Sequence, residues 1–121
     1  MNSRQCCRNC RAENAAAQHG FCEYTLTMRL GTDPLYSGVF PTMDAKTVTA
    51  FVRNAGGGPV VAYIQNSPNG CDFLDDPQRL ELAGGQMGYL VPYIFSKYMR
   101  VVLTGPPGGS ARLYFQMQNM R

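Results

Sequence analysis

Four stretches of the chain alternate between apolar and polar positions with a period of two. In Phe21 to Leu30, Cys22, Tyr24, Leu26, Met28 and Leu30 point one way, and Glu23, Thr25, Thr27 and Arg29 the other. That is the pattern of a strand with one buried face. It turns Cys22 inward at the strand end nearest the N-terminus. Lys46 to Asn54 sets Val48, Ala50 and Val52 against Thr47, Thr49, Phe51 and Arg53. Ile94 to Thr104 places Phe95, Met99, Val101 and Leu103 on one face. Ala111 to Asn119 closes the chain with Leu113, Phe115 and Met117 inward, and Arg112, Tyr114, Gln116 and Gln118 outward.

Weaker strands fill the gaps. Leu35 to Phe40 is short and stopped by Pro41, and Val60 to Asn66 is rich in β-formers. Arg79 to Ala83 points Leu80 and Leu82 inward, Gly84-Gly85 turns it, and Gln86 to Val91 returns until Pro92. Turn signals sit at Gly31-Thr32-Asp33-Pro34, Gly56-Gly57-Gly58-Pro59, Asn69-Gly70 and Gly105-Pro106-Pro107-Gly108-Gly109. The glycine loop between Lys46–Asn54 and Val60–Asn66 predicts a hairpin. About eight strands with turns every eight to twelve residues, and no long helical period, predict an all-β jelly roll or β-sandwich.

Residues 1–20 lack this alternation. Ala15-Ala16-Ala17 could form a helical turn, but so short a segment is marginal by itself, and disorder until docking is the expectation. The chain therefore divides into a cysteine-bearing arm, 1–20, and a β domain, 21–121, long enough to bury a core without staples.

Composition narrows the function. The net charge is +3 with 16% charged residues, and the basic residues are scattered rather than gathered on one face, which argues against nucleic acid. No apolar run reaches the ~20 residues of a membrane helix, so no membrane insertion is expected. Met1 to Cys7 has no apolar segment of a signal peptide. The chain thus stays in the cell that makes it, leaves by lysis, or is already processed.

Catalytic chemistry finds little support. The single histidine, His19, lies in the arm, outside the domain that could position it. No Gly-x-Ser-x-Gly elbow or phosphate-binding loop is present. Asp72, Asp75 and Asp76 cluster near Cys71, but not at the spacing of a calcium loop, and a solvated turn is the simpler reading. An outward Tyr114 could serve a sugar platform, although tryptophan is absent. No enzyme activity, resident metal or other cofactor is expected.

The five cysteines remain. Their odd number leaves at least one free or paired outside the chain in oxidised protein. Cys6 and Cys7 are neighbours, ~3.8 Å apart at Cα, too close for an unstrained disulfide with each other. Fifteen residue steps separate Cys7 from Cys22; extended, they span up to ~50 Å, against a radius of gyration of ~13 Å for such a domain. The arm can reach a neighbouring copy, where Cys22 or Cys71 could accept a disulfide. Two other readings stand beside this one. Cys7-Arg8-Asn9-Cys10 with Cys6 and Cys22 could hold zinc, though a second Cys-x-x-Cys is missing. The arm cysteines could equally be free thiols. The chain is then a self-assembling subunit, a monomeric module for sugar or protein with a tether, or a zinc protein.

The Cys6-Cys7 pair, followed by a gap and by Cys22 opening the first strand, resembles the subunits of bacterial endospore appendages (Ena-type fibres). The resemblance implies a jelly roll whose N-terminal connector inserts into preceding subunits of a helical homopolymer. Cys6 and Cys7 would be connector donors and Cys22 a body acceptor; Cys10 is an additional arm cysteine. The appendage pattern expects a second acceptor near the C-terminus, where this chain has none, and Cys71 would take its place. It further implies a robust extracellular fibre on the spore surface, built from subunits made in the cytoplasm without a signal peptide and released by lysis, with a spore-surface anchoring protein as a further partner. The body is also similar to a small uncharacterised all-β domain of spore-forming bacteria, through Phe51-Val52-Arg53-Asn54, Gln65-Asn66-Ser67-Pro68-Asn69-Gly70 and Leu90-Val91-Pro92-Tyr93-Ile94-Phe95-Ser96-Lys97-Tyr98.

Overall fold

The computed structural model describes residues 14–18 as backbone and residues 20–119 in full. It contains the strands β1 (Asn14–Gln18), β2 (Phe21–Arg29), β3 (Leu35–Tyr36), β4 (Phe40–Pro41), β5 (Ala45–Asn54), β6 (Val60–Ser67), β7 (Leu74–Asp75), β8 (Leu80–Leu82), β9 (Met87–Leu90), β10 (Tyr98–Thr104) and β11 (Ser110–Asn119). One sheet runs β1-β2-β11-β5-β9. The other runs β3-β10-β6-β7, with β4 also on β10 and β8 also on β6. All pairings are antiparallel.

From β2 onward, the chain changes sheet at each long connection. β2, β5, β9 and β11 lie in the first sheet; β3/β4, β6–β8 and β10 lie in the second. Counting β3 with β4, and β7 with β8, as interrupted single strands gives the eight positions of a jelly roll. The short apposed edge strands explain the larger count: Pro41 lacks the N–H of a central strand, yet sits in β4 at the margin of β10. Pro41 therefore does not stop that strand but belongs to it.

Three sequence expectations are corrected. β5 and β6 do not form a hairpin, nor do β8 and β9; each pair spans the two sheets. A hairpin keeps both strands in one layer, whereas here the apolar faces of β5 and β6 meet across the core. The side chain of Asn54 makes this crossing. Its Nδ2 donates to Gly58 O (2.7 Å) and Leu82 O (3.1 Å), and its Oδ1 accepts from Gly56 N (3.0 Å). Next, Ala15-Ala16-Ala17 is neither a helical turn nor outside the fold. It lies in β1, with Ala16 opposite Glu23, because β2 offers an open edge there. Finally, β10 begins at Tyr98, so Ile94 and Phe95 are not strand residues, and Phe95 stands 65% exposed.

Apart from Phe95, the inward positions that the alternation names in the four main strands lie in or against the core. Met28, Leu30, Val48, Ala50, Val52, Met99, Val101, Leu103, Leu113, Phe115 and Met117 are buried in a single cluster, with Cys22, Tyr24 and Leu26 packed on it. At its centre Phe40 stacks between Tyr24 (4.9 Å) and Phe115 (4.2 Å), bridging the sheets. Offset stacks of this kind add to burial.

The two ends of the sandwich differ. The loops 30–34, 55–59, 83–86 and 105–109 gather at one end and lie on one another's backbone. A Cβ at Gly84 would fall 2.7 Å from Gly56 O, and one at Gly105 would fall 2.8 Å from Pro59 O, so only glycine permits the approach. At the other end lie the loops 42–44, 68–73 and 91–97, together with the β1–β2 turn and the end of β11, where Asn119 N donates to Gly20 O.

Candidate assembly surface

Cys22 occupies the second position of β2, between Ala17 of β1 and Met117 of β11. As the alternation requires, it packs against the core, half-buried and with a free thiol. Cys71 is half-buried in the β6–β7 loop, at the same end of the sandwich. The Asn69-Gly70 turn predicted there is present, with Gly70 at φ 83°; Asn69 Oδ1 accepts from the N–H of Cys71 and of Asp72, each at 2.9 Å. Cys71 is disulfide-bonded. Cys6, Cys7, Cys10 and His19 lie outside the described residues.

The aspartates near Cys71 are engaged separately. Asp72 accepts from Asn69 Nδ2 (2.8 Å), and Asp75 pairs with Arg79 (3.3 Å) and accepts from Gln65 (2.7 Å). Asp76 is buried and accepts from Asn66 Nδ2 (3.1 Å) and Tyr93 N (2.9 Å). Among the described residues, no group of three or more metal-ligating side chains converges.

Among the described residues, two of the open sheet edges lie on the first sheet. The first is the outer side of β1. The second is on β5: β9 pairs only with Ala50–Arg53, so Lys46–Thr49 have no strand on that side. A cleft of about 460 Å³ follows this open stretch, walled by Tyr93, Ile94 and Phe95. Unpaired edges of this kind can accept another strand.

The 91–97 loop is a ridge of apolar side chains on a fixed backbone. Tyr93, Ile94 and Phe95 are 70%, 51% and 65% exposed. Their backbone is pinned from several directions. Val91 N donates to Gln78 Oε1 (3.2 Å), Tyr93 N to Asp76 Oδ1, Thr42 N to Lys97 O (2.7 Å), and Thr42 Oγ1 to Ser96 O (2.7 Å). A second hollow, about 310 Å³, lies on the far side of the ridge between Leu74, Pro68 and Phe95. Sequence periodicity missed this ridge by extending β10 back over it. The signal was there in Val91-Pro92-Tyr93-Ile94-Phe95, which is continuously apolar rather than alternating and contains a proline.

The outer face of the second sheet carries an arginine–aromatic stack that the sequence reading also missed. Arg100 lies over Tyr36 (4.2 Å) and Phe73 (3.8 Å), and its Nε donates to Gln65 Oε1 (2.7 Å). Arg79 lies over Tyr63 (4.0 Å). Partial burial lowers the Arg100 pKa and raises that of Tyr63, the latter aided by the Asp75 carboxylate. On the opposite face, Tyr114, Phe51 and Tyr89 stand side by side in register on three strands.

These features define a jelly-roll protein with open sheet edges, an accessible apolar end and a free core-facing thiol. The chain belongs to the DUF6385 family, a domain of unknown function, whose model matches residues 41–119. No curated protein matches its sequence. Among solved structures, it is similar to a chain of Bacillus endospore appendages, described as a novel family of disulfide-linked pili, at 8% identity and TM-score 0.50 over 88% of this chain and 98% of that one. PirA is similar at 11% identity and TM-score 0.52, over 86% and 97%. The PBSX exported protein XepA shares 11% identity at TM-score 0.59; the match covers 80% of this chain but 36% of that one. At such identities the likeness is one of fold, and it is the fold that the cysteine pattern led us to expect.

Proposed function

We propose that this chain is a structural subunit that polymerises into an extracellular or spore-surface fibre through β-sheet contacts, and that disulfides from its N-terminal arm lock the polymer. Its parts are the arm, 1–20, and the jelly roll, 21–121. Asn14–Gln18 of the arm are already added to the sheet of their own chain. The observation that carries this reading is Cys22, a free thiol at the start of a strand in a domain whose fold is similar to that of a disulfide-linked pilus chain.

Cys6, Cys7 and Cys10 are the donors, and Cys22 and Cys71 of a neighbouring copy the acceptors. A bridge at Cys22 forms by two-electron oxidation of two thiols, with oxygen or an oxidised dithiol taking up the electrons. Cys71 is already bonded, so another copy reaches it by exchange: an arm thiolate attacks its sulfur and the previous partner leaves as a thiolate. An oxidising exterior would preserve both bonds. The role is architectural, without catalysis, and the main partner is a second copy of the chain; an anchoring protein on the spore would complete the assembly.

Negative-stain microscopy beside non-reducing electrophoresis tests this. Fibres with a ladder of covalent oligomers that collapses on reduction are the expected result. Dispersed monomers under oxidising conditions would refute it.

A further inference from the structure

The outer face of the first sheet gathers arginines without acids to pair with. Arg53 and Arg112 stand directly opposite each other on β5 and β11. Arg29 of β2, opposite Ser110, is the diagonal neighbour of Arg112. All three are exposed. Like charges placed side by side on a sheet are destabilising, and among the described residues no carboxylate pairs with any of them. The ion pair present there, Asp75–Arg79, belongs to the other sheet. On the described strands of this face the acid is Glu23, which accepts from Gln116 (3.1 Å). It lies four positions along β2 from Thr27, the partner of Arg112, or about 14 Å. Arg112 Nη1 donates to Thr27 Oγ1 (2.9 Å), and Arg53 donates to Gly85 O and Met87 Sδ. These bonds leave most N–H donors of both guanidiniums unengaged. The arginines of the second sheet differ, since Arg79 is paired and Arg100 is packed on Tyr36 and Phe73.

Beside the arginines runs an aromatic row. Tyr114, Phe51 and Tyr89 are partners across β11, β5 and β9, one step along the face from Arg112, Arg53 and Met87, or about 7 Å. The Phe51 and Tyr89 ring centroids are 6.4 Å apart, and the Arg112 guanidinium lies 5.8 Å from the Tyr114 ring. Three strands at ~4.8 Å make the row about 10 Å long. On its other side the face is neutral: Thr49 with Gln116, then Thr47 with Gln118, border a shallow hollow of about 340 Å³. We infer that this face binds an acidic glycan, with a sugar ring packed on the aromatic row and its carboxylate held by Arg53 and Arg112. The rings offer apolar surface to the C–H face of a sugar. A guanidinium fork matches a carboxylate. The threonines and glutamines both donate and accept, as sugar hydroxyls require. Single-stranded nucleic acid also stacks on aromatic side chains, but it carries a phosphate at every residue and would meet Glu23 and the neutral hollow where it needs cations. The site goes beyond the fibre reading and does not rest on it.

Calorimetric titration of the reduced full-length chain tests this. The probes are oligosaccharides of alginate, a polyuronate, beside neutral dextran oligosaccharides, poly-glutamate and poly(dT). Alginate binds saturably, and the other three bind at least about tenfold more weakly. Arg53→Gln and Arg112→Gln each weaken alginate binding at least about fivefold and flatten its dependence on salt. Tyr89→Ala weakens it to a similar degree while the salt dependence stays. Arg79→Gln, on the other sheet, binds as the parent does. Thermal melting verifies that each variant folds. A parent that does not bind alginate overturns the site, and so does parental affinity in the Arg112→Gln or the Tyr89→Ala chain. Equal or tighter binding of poly-glutamate or poly(dT) overturns the glycan assignment, and equal binding of dextran overturns the part given to the arginines. None of these results bears on whether the chain forms fibres.

Discussion

Asn54→Ala removes the side chain that organises the glycine-capped end. Asn54 is fully buried and makes three hydrogen bonds, at 2.7, 3.1 and 3.0 Å, to Gly58, Leu82 and Gly56. Each contributes about 1 kcal/mol net, and leaving buried carbonyls and an N–H unpaired adds to the loss. Some relief comes from water reaching Gly56 and Gly58, which are only half-buried. The expected destabilisation is therefore about 3–4 kcal/mol, a large share of the ~5–15 kcal/mol that holds a domain together. At 4–8 °C per kcal/mol for a domain of this size, the melting temperature falls by roughly 12–32 °C. Urea denaturation of the full chain under reductant gives the free energy, with Arg53→Ala as the control. Arg53 is exposed and makes only a 3.3 Å bond to Gly85 O and a long contact to Met87, so its loss is within about 0.5 kcal/mol. If Asn54→Ala matched that control, the assigned role of the crossing would be wrong.

Phe40→Ala, which empties the centre of the Tyr24–Phe40–Phe115 stack, should cost about 3–5 kcal/mol in the same denaturation assay. Cys22→Ser should leave the melting temperature within a few degrees, since the residue is half-buried, while weakening the covalent ladder on non-reducing gels. Tyr63 should ionise above 10.0, because burial foremost, and then the Asp75 carboxylate, disfavour its anion. Its raised value means that the folded state holds the proton more tightly, so this contribution to stability is full below pH 10 and is lost as pH rises through the folded value. Asp75→Asn should shift the tyrosinate absorbance titration of Tyr63 downward; an unchanged titration would contradict the assignment.

The sequence showed the half-buried strands, and for a local reason. In β2, β5 and β11 one face meets the core and the other meets solvent, so alternation marks every residue, Cys22 included. It could not show which strands share a sheet. Gly56–Pro59 looks like a hairpin loop because a turn's residues set its curvature, whereas the crossing depends on Asn54 bonding Leu82, 28 residues away. The start of β10 was lost for a related reason. Phe95 falls in phase with Met99, Val101 and Leu103, so the alternation reads on through Ser96 and Lys97, whereas the loop over Tyr93–Ser96 is held by Asp76 and Thr42 from elsewhere in the chain. Ala15–Ala17 favours helix by propensity but is too short to hold one alone, and the edge of β2 decides its conformation. The arginine stack at Arg100 draws Tyr36, Gln65 and Phe73 from separate strands and loops, and no local spacing encodes it.

Isotope mixing tests the intersubunit bridge most directly. Reduced unlabelled and heavy-isotope-labelled chains are combined, oxidised and digested, and the disulfide-linked peptides are mapped by mass spectrometry. The account predicts peptides joining Cys6, Cys7 or Cys10 to Cys22 in light–heavy pairs as well as matched ones. Peptides found only as light–light or heavy–heavy pairs, meaning that every bridge closes within a single chain, would contradict it.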